Sequence, residues 1–366
     1  MKRSLAIILL ALAAGTAHAR KTVSYNPLEA GVKVVFNQPL HKGDYARLPA
    51  SAQKELRKDV WMLSRNSAGL TLKFRSDAPE IKVRYTVAGN LAMDHMPATG
   101  VSGLDLYAAT EAGETMWCAA ERKFGDTVTY NYKGLAYDPD SPAGRDYELY
   151  LPLYNTVRWM EIIVSEDSFM DFVPADNAPQ PVVVYGTSIA QGACASRPGM
   201  AWTAILHRAL DKDVVNLGFS GNGRLEPAVL DIMNSIDASL YILDCMPNMG
   251  ERFEPDTTRQ RIIDAVARIR GEHPDTPILL VEHAGYTNAA SRPSRRESYI
   301  TTNRASRAAF DFLKSEGDDN LHYLSCEEIS MPEDGMVDGI HPTDYGMESI
   351  ARAYENKIKS DIYENF

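Results

Sequence analysis

The chain has 366 residues, 45% of them apolar, and a formal net charge of −11 at pH 7. That length and apolar share suit a globular protein with room for two domains, which excludes disorder as the default. The acidic balance excludes a nucleic-acid partner, whose phosphates call for clustered Lys and Arg.

Residues 1–19 combine a charged start (Lys2, Arg3), an apolar stretch from Leu5 to Ala14, and Ala17-His18-Ala19. This is the pattern of a secretory signal peptide with an Ala-x-Ala cleavage site, so the mature protein is expected to begin near Arg20, periplasmic or secreted. The apolar stretch is too short to span a bilayer, and no later run reaches that length, so no membrane span is expected. From about Val23 to Val173 the text is strand-like. Residues 70–74, 81–87, 127–130 and 160–164 alternate or run β-branched, with Gly, Pro, Asp and Asn between them. Short strands at close spacing predict an antiparallel sandwich over residues 20–175. His95, in a loop of this region, is a candidate substrate contact if the sandwich's end loops lean over the next domain.

Two prolines in residues 176–181 mark a linker, because proline removes ladder donors and disfavours helix before it. The period then changes. Apolar strands at 182–185, 214–217, 239–243 and 278–281 alternate with helical stretches at 201–210, 258–270 and 303–314, and a helix over 343–363 closes the chain. This β–α alternation over 182–366 predicts a parallel sheet covered on both faces. The basic run Arg292 to Arg296 reads as a solvated loop and helix start.

The strand Val182 to Tyr185 stops at Gly186-Thr187-Ser188, which places a hydroxyl at the carboxyl edge where such sheets bind ligands. A serine there is also a common helix N-cap. Far downstream stands Asp338-Gly339-Ile340-His341-Pro342, which by itself could be a turn or a metal pair. Together the two segments supply a nucleophile (Ser188), a base (His341) and a carboxylate to fix the imidazole tautomer (Asp338). Between them, Asn216 to Asn222 and Tyr241 to Asn248 are apolar runs ending in small or amide residues. The backbone N–H groups of Ser188 and Gly221 and the carboxamide of Asn248 are candidate oxyanion donors. Arg197 is a candidate substrate donor, and Glu282 and His283 are candidate pocket wall. Cys118, Cys194, Cys245 and Cys326 are too few and too spread for a disulfide framework or a metal pattern. Cys194 and Cys245 are expected near one rim, either bridged or packed as buried thiols. No His and carboxylate spacing compels a metal, and acyl transfer of this kind needs no cofactor.

The order Ser188, Gly221, Asn248, His341 resembles the four blocks of the SGNH (GDSL-type) esterase and lipase superfamily, and Asp-x-x-His-Pro matches its last block without alteration. The first block reads Gly-Thr-Ser instead of Gly-Asp-Ser, and the third reads Met246-Pro247-Asn248-Met249 instead of Gly-x-Asn-Asp. Upstream, Gly103-Leu104-Asp105-Leu106-Tyr107 resembles the Gly-x-Asp-Leu-Tyr signature of a domain that precedes the hydrolase in a bacterial subgroup; Asp105 and Tyr107 themselves read as turn and packing residues. The resemblance implies a flavodoxin-like three-layer SGNH domain behind an all-β sandwich. It also implies a serine ester hydrolase acting on a small-molecule or glycan ester, with O-acetylated carbohydrate favoured. The alternatives are a general short-chain esterase or lipase, and a glycan-binding protein with an inactive hydrolase domain. Fold and triad license acyl transfer, not a particular acyl group.

Overall fold

The computed structural model describes residues 21–110, 114–119, 121, 123–135, 144–176 and 178–363; the expected signal peptide lies outside them. Among the described residues ten strands precede the linker: β1 (Thr22–Tyr25), β2 (Val35–Phe36), β3 (Thr71–Ser76), β4 (Glu80–Val87), β5 (Asp105–Ala109), β6 (Thr115–Trp117), β7 (Val128–Lys133), β8 (Arg145–Tyr150), β9 (Val157–Ser165) and β10 (Met170–Phe172). They form two antiparallel sheets, ordered β1-β9-β4-β7 and β10-β3-β8-β5-β6, with β2 paired to β3. Strand alternation sends Leu72 and Phe74 of one sheet, and Ile81, Val83 and Tyr85 of the other, into a shared core. The region is not wholly β. A helix at Lys58–Ser64 leaves the sandwich, and Leu48, Ala52, Leu56 and Val60 pack into the core of the following domain.

After the linker come β11 (Val182–Gly186), β12 (Val214–Gly218), β13 (Leu240–Asp244), β14 (Ile278–Val281) and β15 (Leu321–Leu324). They pair in parallel in the order β12-β11-β13-β14-β15. Strand β11 is buried along its whole length, which is why its sequence runs apolar instead of alternating. Val183 and Tyr185 face a core closed by helices Pro227–Asn234, Pro255–Glu272 and Pro293–Ser315. Val182 and Val184 face the opposite core, closed by Trp202–Leu210 and Asp344–Lys357, where the Trp202 and Tyr354 rings stack at 4.3 Å. This is a three-layer doubly wound sheet of flavodoxin-like order. Neighbouring strands leave β11 on both sides, so its carboxyl end is the topological switch point at which such folds bind ligands.

The two domains are tied by buried and part-buried polar contacts as well as apolar ones. Arg47 donates through Nη1 to the carbonyls of Asn216 (3.1 Å) and Gly218 (2.5 Å) on β12, and burial holds its guanidinium down to about 9. Glu148 meets His207 Nε2 at 3.0 Å, and Lys73 reaches Asp213 at 2.8 Å. Among the described residues no helix is long and apolar enough to cross a membrane.

Candidate active site

Thr187 and Ser188 divide the work at the end of β11. Thr187 is the N-cap of the short helix Ser188–Gln191, and its Oγ1 accepts from the Ile189 amide. Ser188 therefore sits one position inside the helix, where its own hydroxyl is not needed for capping and its amide N–H has no intrahelical acceptor. That hydroxyl lies 3.0 Å from His341 Nε2. The imidazole is fixed from the other side, with His341 Nδ1 2.8 Å from Asp338 Oδ2. Asp338 is itself oriented by a tight turn in which its Oδ1 accepts from the amides of Ile340 (2.9 Å) and His341 (2.8 Å). Partial burial disfavours its charge, but the amide and ring of His341 and the Ile340 amide outweigh that and hold the carboxyl below its usual range. Gly339 supplies the left-handed φ of +82° that this turn needs, and a Cβ there would run into the Asn288 carboxamide.

The loop after β12 comes to the same edge. Gly221 has a φ of +67° with open space where a side chain would stand, and its carbonyl accepts from Arg224 Nε and Nη2. Gly223 lies so close to β11 that a Cβ there would meet the Gly186 carbonyl oxygen at 2.3 Å. Its amide donates to Asn248 Oδ1 at 3.1 Å, which fixes the carboxamide and leaves the two Nδ2 donors for the site. Asn248 closes a turn at the end of β13, with its own amide on the Cys245 carbonyl. The structure thus brings Ser188, Asp338, His341, Gly221 and Asn248 to the carboxyl edge of neighbouring strands.

Residues 179–359 match the family model of the GDSL-like lipase/acylhydrolase family, and residues 23–170 match that of the GxDLY domain, the N-terminus of SGNH-hydrolase-type esterases. Residues 179–359 form a domain of the GDSL-like lipase/acylhydrolase family. The chain is a serine carboxylic-ester hydrolase of the SGNH type. A protein described as a GDSL-like lipase from Bacteroides ovatus is 29% identical, with a TM-score of 0.83 over 93% of this chain and 97% of that one. A salicylyl-acyltransferase from a tetracycline biosynthetic pathway shares the fold at 23% identity and TM-score 0.74, covering 94% of this chain and 98% of its own. An acetyl xylan esterase from the rumen bacterium Butyrivibrio proteoclasticus shares it at 9% identity and TM-score 0.56, over 94% and 100%. None of the curated proteins matches the sequence.

The sandwich contributes directly to the surroundings of this hydrolase site. His95 stands on a turn pinned by reciprocal bonds between Met93 and Met96 (both 3.0 Å), and its exposed ring lies 5.5 Å from that of His341. Thr99 Oγ1 donates to the Ser196 carbonyl, and Gly100 packs on the Ala195 carbonyl so closely that a Cβ would be 2.3 Å from it. Arg197 is occupied elsewhere than at the serine. Its Nη1 donates to Asp105 Oδ2 (2.8 Å) and to the Tyr107 hydroxyl (2.7 Å), and its guanidinium lies 4.3 Å from the Trp117 ring centroid. Asp105 is fully buried and also accepts from Trp117 Nε1 and the Gly199 amide, so the signature aspartate is an anchor between domains and not a turn residue. Burial pulls its carboxyl above the usual range although three donors face it, while Arg197, which reaches solvent, is held more firmly charged. A partner set made only of N–H donors requires the carboxylate form. The clamp continues towards His341: the amide and hydroxyl of Ser196 both bond the carboxylate of Asp344, three residues after it.

Glu282 and His283 are buried just after β14. Glu282 accepts from the Tyr323 hydroxyl and the Cys326 amide. His283 Nδ1 accepts from the Gly285 amide, and burial pushes this imidazole down to about 3. Cys194 and Cys245 are buried free thiols, not a bridge; burial and then the Asp338 charge push Cys194 up to about 12. Two contributors escape sequence reasoning. Gln191 Oε1 accepts from the Ser220 amide, tying the helix of Ser188 to the loop of Gly221, and the Tyr154 hydroxyl donates to the Ser188 carbonyl. Only the position of Gln191, one helical turn after Ser188, hints at its part.

Proposed function

We propose that this esterase is exported and removes O-acetyl groups from carbohydrate, with Ser188, His341 and Asp338 as its triad. The observation that carries the mechanism is the unbroken chain from Ser188 Oγ through His341 (3.0 Å) to Asp338 (2.8 Å) at the switch point. Ser188 attacks the acyl carbonyl while His341 Nε2 takes the hydroxyl proton and later returns it to the leaving alkoxide. Water then enters by the same route, deacylates the serine and regenerates the hydroxyl. The amides of Ser188 and Gly221 and the Asn248 Nδ2 would hold the oxyanion, each donor typically lowering the barrier by ~3 kcal/mol.

Export is supported by the charged, apolar and Ala-x-Ala pattern of residues 1–19. The carbohydrate reading is supported by three features. A sandwich loop places His95 beside the triad, where it could bond a sugar hydroxyl. The ring of Tyr345, just after His341, is 61% exposed and offers a face for a pyranose. The acetyl xylan esterase shares the fold over nearly the whole chain. Comparing p-nitrophenyl acetate, butyrate and octanoate, then measuring acetate release from acetylated polysaccharides, tests the reading. Preference for acetate with release from glycan is expected. Higher kcat/KM on octanoate, or no release from any acetylated glycan, would leave a general acyl hydrolase.

A further inference from the structure

We propose that His95, Cys194 and His341 form a binding site for a zinc-type divalent ion, whose occupation switches the esterase off. No spacing in the sequence announces it, because the three residues come from the sandwich loop, the segment after the nucleophile helix, and the last motif block. In the fold, one ligand atom from each lies within 4.8 Å of the others. Two imidazole nitrogens and one thiol are the donors a borderline ion selects over hard Mg²⁺ or Ca²⁺. Donors around a tetrahedral zinc stand roughly 3.3–3.6 Å apart, given metal bonds of about 2.0–2.3 Å. The cluster therefore needs to contract by little more than ~1 Å. The exposed ring of His95 can supply that movement by side-chain rotation alone, since its turn is pinned at both ends.

Three further features favour the site. Cys194 holds a left-handed φ of +67°, a conformation that non-glycine residues keep only where their surroundings impose it, and its Sγ lies 3.5 Å from the His95 carbonyl. Asp338 already fixes His341 through Nδ1, which is the carboxylate–histidine arrangement that aims Nε2 at a metal. Ser188 Oγ, 3.0 Å from Nε2, or a water can fill the fourth position. On binding, the ion takes the Nε2 lone pair and the thiolate, and the thiol proton passes to solvent; a bound cation reverses the local preference for the neutral thiol. His341 can then no longer accept the Ser188 proton.

Only this inhibitory consequence rests on the reading of His341 as the base, so binding is measured separately from activity. With full-length protein, Co²⁺ serves as the optical probe. A thiolate-to-cobalt charge-transfer band at one equivalent is expected in wild type and in Ser188→Ala, and not in Cys194→Ser. In the ester assay, micromolar-range Zn²⁺ titration should give single-site inhibition that EDTA reverses and Mg²⁺ does not reproduce. Cys194→Ser should keep its hydrolysis of p-nitrophenyl acetate and need at least about tenfold more zinc, since even loss of a partner one shell out costs roughly 10–100-fold in affinity. His95→Ala, an exposed change that cannot unfold the core, should shift the zinc titration in the same direction. Unchanged zinc sensitivity in both variants, or cobalt binding without a thiolate band, overturns the site. A cobalt–thiolate band with zinc bound and activity intact would keep the site and overturn His341 as the base.

Discussion

Replacing Asp105 by Ala removes the acceptor that joins the sandwich to the hydrolase, 94 residues from Gly199 in sequence and 2.8 Å from its amide. Asp105 is 0% exposed and the Arg197 side chain 18%, so the pair belongs with buried ion pairs, whose one-sided removal costs about 3–5 kcal/mol. Arg197 keeps the Tyr107 hydroxyl and the Trp117 face, but the Gly199 amide and the Trp117 indole N–H lose their acceptor. With roughly 2.1 cal/mol/K of unfolding entropy per residue, a chain of this length should lose about 4–7 °C in Tm. Because the Arg197 segment also carries Ser196, which bonds Asp344 beside the base, kcat should fall too, by roughly 10–100-fold, the scale of a 1 Å misplacement. Calorimetry and kcat at a temperature where both proteins are folded are the assays. A Tm loss under about 2 °C would refute the buried-pair reasoning. A full Tm loss with unchanged kcat would confine Asp105 to holding the domains together.

Asn248→Ala should lower kcat by roughly 10²–10³ while changing KM little, as loss of one oxyanion donor does; an effect confined to KM would move Asn248 to ground-state binding. The two loop glycines should separate in a kcat assay. Gly223→Ala drives a Cβ onto the Gly186 carbonyl and displaces the Asn248 contact, whereas Gly221→Ala has open space and meets only backbone strain of about 1–3 kcal/mol. Gly223→Ala should therefore be the more damaging, and the reverse order would mean the loop is not seated as described. Half-buried Glu148 is held down to about 2, because the His207 and Lys73 charges outweigh its burial. A depressed folded value means its stabilisation is complete above about 4.5 and is lost as pH falls towards about 2, while the raised His207 contributes below its usual 6.5 and is lost as pH rises past its folded value. Glu148→Gln should flatten the acid limb of Tm against pH; an unchanged limb would mean the pair is solvated.

What could be read in the sequence follows burial. Strands β11 to β14 were legible to within a residue or so because a parallel strand covered on both faces is a continuous apolar run. Strand β15 was not, since it is a four-residue edge strand with His322 half-buried on it. The helix Pro293–Ser315 begins ten residues before the apolar periodicity does, because its first turns are polar and basic. In the sandwich, β5 hid inside the signature segment, where Asp105 looked like a turn former and is a buried anchor. The Ser188, Asp338 and His341 grouping was visible because its residue types stand in two short blocks, Gly-Thr-Ser at the end of β11 and Asp-x-x-His in the loop before the last long helix. The Arg197 clamp depends on how two domains pack, which no local pattern encodes, and the His95 approach was readable only on the condition that the sandwich's end loops lean over the next domain.

The account stands on Ser188 as the nucleophile that His341 activates. The direct measurement is active-site labelling of the full-length protein with a fluorophosphonate, followed by peptide mass spectrometry and by turnover of p-nitrophenyl acetate in Ser188→Ala. The account predicts one label, on Ser188, lost in His341→Ala, and a fall in kcat of about 10⁶ for Ser188→Ala with folding intact. A label on another residue, or a Ser188→Ala protein that keeps even about a tenth of wild-type turnover where triad loss should cost about 10⁶, would contradict it.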